Sequence, residues 1–530
     1  MSTPTSAFST VGGVLRAHVA ERPDAEYVVC DDDRLSYAEA ERRSRLLARG
    51  LLAIGAGRGS RIGLLFPTGV EFVLAWLAAV RIGAIAVPIS TFSTSRELRD
   101  LLARADVDLV LGVREYRGND YSAAIADAVG SFEVVERGVI GVDERPIAAP
   151  HLRGVLLDRF ASLEARAADV PDAVLDAIED DVTPDDRMVI VHTSGSTSAP
   201  KGVIHQHGPL LGHLHTLNQI RGLHAGTRLF SNSPMFWIGG LAYNVAGVLV
   251  AGATLLCTAA TDPVEALDFI ERERPELTNG YAASIAALVA HPSFARRDFS
   301  SIRSGNLHPL LPAAIRPTDV ELRHNMLGTT ETGSVCLMSS DETDQPEHRR
   351  GSFGLPVPGL TPRVVDTETL ADVPVGTIGE LWFRGPSLME GYYGRERFEI
   401  FTADGWYRTG DLFHVDGDGY FYFHGRRGSM IKTAGANVSP LEVEAALSDA
   451  TGGLAVMVLG VPDPERDQVV AAVILAEPDT APDLDALRAE LRTRLSAYKV
   501  PRRFLVLAPT DLPMLSSGKP DLAAIEELFT

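Results

Sequence analysis

Thr193-Ser-Gly-Ser-Thr-Ser-Ala-Pro-Lys-Gly202 is the stretch that decides how this chain is read. The apolar run Arg187-Met-Val-Ile-Val-His192 precedes it and is short enough to be a buried strand. Val203-Ile-His-Gln-His207 follows it and leads towards a helix. A strand therefore delivers a flexible polar loop. Thr193, Ser194, Ser196 and Thr197 bring hydroxyl donors, Gly195 lets the backbone approach a ligand closely, and Lys201 adds a cation. Amides, hydroxyls and one cation aimed inward make a grip for phosphate. The stretch is not a GxxxxGK[ST] loop, because Gly195 has no second Gly at the required offset and neither Ser nor Thr follows Lys201. Taken alone, it reads first as a solvated Gly/Ser turn, since short motifs recur by chance.

Around this loop the chain has the composition of an ordinary globular enzyme, with 45% hydrophobic and 22% charged residues. Its 530 residues suffice for about three or four domain-sized units. A formal charge of −21 argues against nucleic acid or an anionic membrane as partner, so any anionic ligand must be held by local Lys and Arg. Three cysteines, Cys30, Cys257 and Cys336, lie far apart without metal spacing, which fits a reduced cytoplasmic setting. The N-terminus shows no secretory signal. Ile238 to Ala260 carries no charge, but its glycines and Asn244 point to a buried helix and strand instead of a membrane span. His205, His207, His213 and His215 cluster without a Cys or carboxylate to complete a metal set and read as a helix face.

From Val11 to Gly112 strands alternate with helices, which implies parallel pairing with helices on both faces and ligands at strand C-terminal ends. The pattern weakens between Val113 and Asp186 and resumes after the loop. An Ala-rich helix is expected from Tyr281 to Ala290, and short strands with Gly and Pro punctuation from Gly354 to Asp411. A last compact α+β unit follows Gly425-Arg-Arg-Gly428. The fold class is thus α/β: doubly wound parallel sheets and a β-rich subdomain over residues 1–427, then a small α+β domain over 428–530.

Several further motifs occur in one order: Gly328-Thr-Thr-Glu331, Tyr407-Arg-Thr-Gly-Asp411, Gly425-Arg426, Ile431-Lys432 with Gly435, and Gly518-Lys519. Together with the loop they resemble the adenylate-forming superfamily, which includes acyl-CoA and aryl-CoA synthetases, over nearly the whole chain. The resemblance implies an acid–thiol ligase that uses ATP, Mg2+ and coenzyme A. It places the phosphates on Thr193, Ser194, Gly195, Ser196, Thr197 and Lys201. Glu331 would hold Mg2+, and Thr330 would sit near the α-phosphate. Gly305, Asn306, Leu307, Leu327, Gly328 and Thr329 would flank adenine, Asp411 would grip the ribose, and Arg426 would orient the nucleotide. Phe236, Trp237, Gly239, Gly240, Tyr281, Ser284 and Gly333 would line the acid pocket. Lys519 would serve adenylation, while Lys432 and Gly435 would face CoA after the C-terminal domain rotates about Gly428.

A carboxylate attacking the α-phosphate of ATP builds a crowded anionic transition state, so catalysis there is positioning plus cations. A thiol must then attack the acyl carbonyl while AMP leaves, and a lysine serving the first step would block the second. Two separated lysines in one small domain fit this need. The chain departs from the superfamily pattern at Ser198, at Leu327 where an aromatic residue usually stacks on adenine, at Gly305-Asn-Leu-His308, and at Leu515 and Leu522. Three readings follow: a CoA ligase for a bulky hydrophobic acid, an enzyme that only thioesterifies a supplied acyl-adenylate, and an adenylating enzyme that loads a carrier protein.

Overall fold

The computed structural model describes residues 10–129, 148–193, 200–281, 285–427, 431–433, 436–438, 440–463, 467–495, 499–515 and 518–529. The chain forms two compact units. One comprises 1–361 with 384–405, and the other 362–383 with 406–530. The boundary expected at Gly428 lies outside the described residues.

In the larger unit the expected alternation becomes two sheets. One has six strands in the order Ser304–Gly305, Leu277–Asn279, Arg228–Ser231, Thr254–Cys257, Glu26–Cys30 and Asp33–Ser36. Its first five strands run parallel, and the last turns back antiparallel. The other has seven strands in the order Gly391–Tyr392, Lys201–Gln206, Arg187–Thr193, Ile85–Pro88, Arg61–Leu65, Leu109–Gly112 and Gly154–Leu156. Here Lys201–Gln206 runs antiparallel to both its neighbours, and the five strands from Arg187–Thr193 onward are parallel. Both sheets are therefore mixed: in the six-stranded one Asp33–Ser36 pairs antiparallel with Glu26–Cys30, and in the seven-stranded one the strand after the polar loop pairs back on the strand before it. Helix Val70–Arg81 is buried along its length, from Val70 to Arg81, in the main apolar core. Its near-continuous apolar run matches an element covered on all sides.

The uncharged run resolves as expected into a helix and a strand: a π-helix over Gly239–Ala246, an α-helix over Gly247–Ala251, and the strand Thr254–Cys257. No helix among the described residues is long and apolar enough to cross a membrane. The Ala-rich segment gives only the short helix Ala286–Ala290, with 282–284 outside the description.

The histidine cluster is not a helix face. His205 lies in the strand Lys201–Gln206, whereas His207 and His213 belong to the helix His207–Arg221, and all three are buried. His207 Nδ1 accepts from the Val11 amide at 3.2 Å, and His213 Nε2 donates to the Val335 carbonyl at 2.9 Å. Burial pushes both imidazoles down from 6.5 to about 4. The unfolded chain therefore binds more protons than the folded one between about pH 6.5 and 4. Their contribution to stability is complete above pH 6.5 and falls as the pH drops through that window, by about 1.4 kcal/mol per pH unit for each histidine. Melting temperature against pH should accordingly fall steeply below pH 6.5, and a His213→Gln variant should show a shallower fall. A flat profile down to pH 5 would remove this account.

The second unit is β-rich, then α+β. Thr361–Val365, Gly379–Arg384, Tyr407–Val415 and Phe421–Arg426 form a four-stranded sheet whose last three strands are antiparallel. Trp382 and Trp406 pack with Val365 in its core. Asp467–Leu475 centres a further sheet between Ala455–Asp463 and Arg503–Leu507, with Ile431–Thr433 and Ala436–Val438 beyond. Helices Pro440–Ala450 and Leu484–Arg494 bury Val443, Leu447, Leu487 and Leu491 in its core.

Candidate active site

The strands on either side of the polar stretch, Arg187–Thr193 and Lys201–Gln206, pair antiparallel. Thr193 and Lys201 are paired partners at the foot of that stretch, so both its ends are pinned by the sheet. Ser194, Gly195, Ser196 and Thr197 lie outside the described residues. Lys201 extends its Nζ over the ring of Tyr392, 5.0 Å from the centroid. The Tyr392 hydroxyl donates to Glu331 Oε1 at 2.9 Å. One aromatic residue, unnoticed in the sequence, thus joins the expected phosphate cation to the expected metal carboxylate.

Thr330 and Glu331 sit in the turn between the antiparallel strands Leu327–Thr329 and Ser334–Met338. Thr329 and Thr332 tie the turn together, the Thr332 amide donating to Thr329 Oγ1 at 3.2 Å. The Thr330 carbonyl accepts from the Gly333 amide at 3.1 Å and from His205 Nε2 at 2.7 Å. A carbonyl only accepts, so this contact places the proton on Nε2. Burial lowers the His205 pKa, which keeps the ring neutral. The Glu331 carbonyl accepts from the Met389 amide at 2.9 Å. His205 and Met389 therefore anchor to the surrounding structure a turn that Thr329 and Thr332 already close internally.

Gly305 ends an edge strand with φ of +126°, and a Cβ there would lie 2.0 Å from the Thr278 carbonyl oxygen. Only glycine fits this position. Asn306 grips the Gly280 peptide group on both sides, accepting from its amide at 2.9 Å and donating to its carbonyl at 2.8 Å. Asn232 holds the next residue, accepting from the Tyr281 amide at 2.9 Å. Asn306, one of the departures from the superfamily pattern, thus orders a neighbouring turn. Leu307 is fully buried in a secondary core with Phe230 and Ile270. Leu327 is half-buried and Gly328 exposed on their strand.

Three of the expected acid-pocket residues, Phe236, Trp237 and Tyr281, meet one another and Phe92, which the sequence reading did not include. Phe92, Phe236, Trp237 and Tyr281 form a row of edge-to-face rings, with successive centroids 5.6, 5.5 and 5.5 Å apart. Gly239 and Gly240 open the π-helix, and a Cβ on Gly240 would meet the Pro234 carbonyl oxygen at 2.0 Å. Asn244 braces the wide turn, donating to the Gly239 carbonyl at 2.9 Å and to Ser231 Oγ at 2.8 Å. Gly333 packs its backbone near Leu210 and Ser387. Ser284 lies outside the described residues.

In the second unit, strand pairing sets Asp411 opposite Arg426, and Arg426 Nε donates to Asp411 Oδ1 at 2.7 Å. Asp411 is 3% exposed. Arg427 donates to Glu380 at 3.0 Å, and the Gly410 amide to the other oxygen of Glu380 at 3.2 Å, which secures the turn before Asp411. Lys432 lies on the strand Ile431–Thr433 opposite Asn437. Gly428 and Gly435 lie outside the described residues. Lys519 is exposed on a tight loop, its carbonyl accepting from the Leu515 amide at 2.7 Å.

Among the described residues no cluster of three or more potential ligands could hold a metal on its own. Glu331 suits Mg2+ nonetheless, because that ion is commonly held by one or two carboxylates plus substrate phosphates. Bound there, it would neutralise charge on the phosphates.

Residues 15–393 match the AMP-binding enzyme family, and residues 442–519 match the AMP-binding enzyme C-terminal domain. A feruloyl-CoA synthase of Amycolatopsis sp is 31% identical over 94% of this chain and 94% of its own length. A 3-hydroxybenzoate–CoA ligase of Aromatoleum sp. (strain CIB) is 30% identical over 99% and 97%. The crystal structure of the anthranilate CoA ligase AuaEII in complex with anthranoyl-AMP superposes with a TM-score of 0.80 at 22% identity, covering 99% of this chain and 98% of that one.

Proposed function

The chain belongs to the AMP-binding enzyme family, and from that premise we propose that it is an AMP-forming ligase joining a bulky, ring-containing carboxylic acid to coenzyme A. The observation that carries this reading is the bridge through Tyr392, which sets Lys201 and Glu331 at the foot of the polar stretch. In the first half-reaction the acid's oxygen bonds to the α-phosphorus of ATP and the bond to the β-phosphate oxygen breaks, releasing pyrophosphate. Lys201 and the amides of its loop would hold phosphate charge, Glu331 would hold Mg2+ to neutralise it, and Asp411 with Arg426 would orient the nucleotide. In the second, the CoA sulfur bonds to the acyl carbon, AMP departs, and the thiol proton passes to solvent. Rotation about Gly428 exchanges the Lys519 loop for the segment of Lys432 and Gly435 between the two steps.

The aromatic row supports a ring-containing acid, and two relatives are named for aryl or arylacryl acids. The test is ATP–pyrophosphate exchange over a panel of acids, with free CoA and a phosphopantetheinyl carrier protein compared as acceptors. Exchange with ring-containing acids and transfer to free CoA are expected. Faster turnover of octanoate or benzoate than of bulkier ring acids would overturn the substrate class. Transfer from synthetic acyl-adenylate without any exchange would restrict the enzyme to the second half-reaction.

A further inference from the structure

Beside Gly305 the larger unit encloses a cavity of about 80 Å3, walled by Arg221, Tyr243, Thr278, Asn279, Gly305 and Met326 among others. Gly305 belongs also to the candidate site, and Tyr243 lies on the π-helix that Gly239 and Gly240 open. The cavity thus shares one wall with the helix that carries the acid-pocket glycines.

Arg221 closes the helix His207–Arg221 and pairs with no carboxylate among the described residues. Its Nε and Nη2 donate to Asn218 Oδ1 at 3.1 and 2.7 Å, and Nη2 donates also to the Tyr243 carbonyl at 2.8 Å. Its Cζ stands 4.0 Å from the centroid of the Tyr243 ring. Nη1 is buried and has no hydrogen-bond partner. Thr278, also in the cavity wall, is 3% exposed, and its Oγ1 is likewise buried without a partner. A buried guanidinium without a counter-ion is costly, and burial lowers the Arg221 pKa. A cation also suits a helix C-terminus, but that role leaves Nη1 and Thr278 Oγ1 unexplained.

The other charged groups lining the cavity are committed. Arg323 Nε donates to Asp344 at 2.7 Å. Asp341 and Glu342 are exposed at the rim, where Asp341 accepts from Thr343 and Gln345 and Glu342 from the Gly305 amide. His308 and His324 have pKa values lowered by burial, so they are neutral near pH 7.

We propose that this cavity receives the far end of the acid, and that this end carries a second carboxylate, held by Arg221 Nη1 and Thr278 Oγ1. The inference rests on the ligase reading above and narrows its substrate class to acids with an apolar body and an anionic tail.

The test compares thioester formation from matched pairs, octanoate with octanedioate and cinnamate with 4-carboxycinnamate, in the wild type and in Arg221→Met. The dicarboxylic member of each pair is expected to have the higher kcat/KM in the wild type. Arg221→Met should lower the ratio of dicarboxylic to monocarboxylic kcat/KM by about tenfold or more, chiefly through KM, as loss of a charge-assisted hydrogen bond requires. Should that variant not fold, Arg221→Lys and Thr278→Val read the same ratio and should lower it by a smaller factor. A ratio unchanged within about twofold in folded variants overturns the proposal, as does a preference for 4-hydroxycinnamate over 4-carboxycinnamate. Thermal shift with each acid alone is read in parallel. If no acid yields a thioester, the ligase reading itself fails, whereas an active enzyme indifferent to Arg221 overturns only the anionic tail.

Discussion

Replacing Lys519 with Ala is expected to cut ATP–pyrophosphate exchange by about two to three orders of magnitude, as loss of one preorganised electrostatic donor does in a comparable site. Transfer of the acyl group from synthetic adenylate to CoA should persist. Lys519 is exposed on a short loop, so its removal should leave the melting temperature close to that of the wild type. The two half-reactions therefore report separately on one residue. If the variant lost both, Lys519 would serve something other than adenylation; if it lost neither, the adenylating cation would lie elsewhere.

Glu331→Gln should be nearly as damaging, with a different signature. Gln keeps an oxygen that can accept from the Tyr392 hydroxyl, and the backbone bond from Met389 does not depend on the side chain. The turn should thus survive while the negative charge is lost. We expect exchange to fall by about a hundredfold or more, with a higher Mg2+ concentration needed for half-maximal rate. Wild-type Mg2+ dependence in this variant would show that the carboxylate does not face the metal. A matching loss in Tyr392→Phe, smaller by about tenfold, would show that the hydroxyl positions the carboxylate without replacing its charge.

How much of this was legible beforehand depended on whether a residue acts through local or distant partners. The strand before the polar loop and the helix and strand of the uncharged run follow from apolar run length and periodicity, whereas the pairing of Asp411 with Arg426 was not read beforehand. The antiparallel additions to both sheets were not legible, because the direction of an edge strand is set by what it pairs with. Tyr392 gave no signal at all: its partner carboxylate is remote in sequence, and Gly391-Tyr-Tyr393 reads as any aromatic turn. The histidines misled for the opposite reason, since proximity in sequence hid that His205 and His213 point to different carbonyls, those of Thr330 and Val335. Asn306 showed the same limit, because its amide is consumed by the Gly280 peptide group.

The return of residues 384–405 to the larger unit, after the excursion through 362–383, has a practical corollary for anyone dissecting the molecule. That returning segment supplies the edge strand beside Val203 and Ile204, and with it Tyr392. Its Glu390 and Tyr393 amides donate to the carbonyls of Ile204 and Gly202. No single cut severs the chain into its two bodies. A fragment stopped near residue 361 would present a bare sheet margin and be drawn to self-associate, whereas one carried through to 405 would retain a sealed margin.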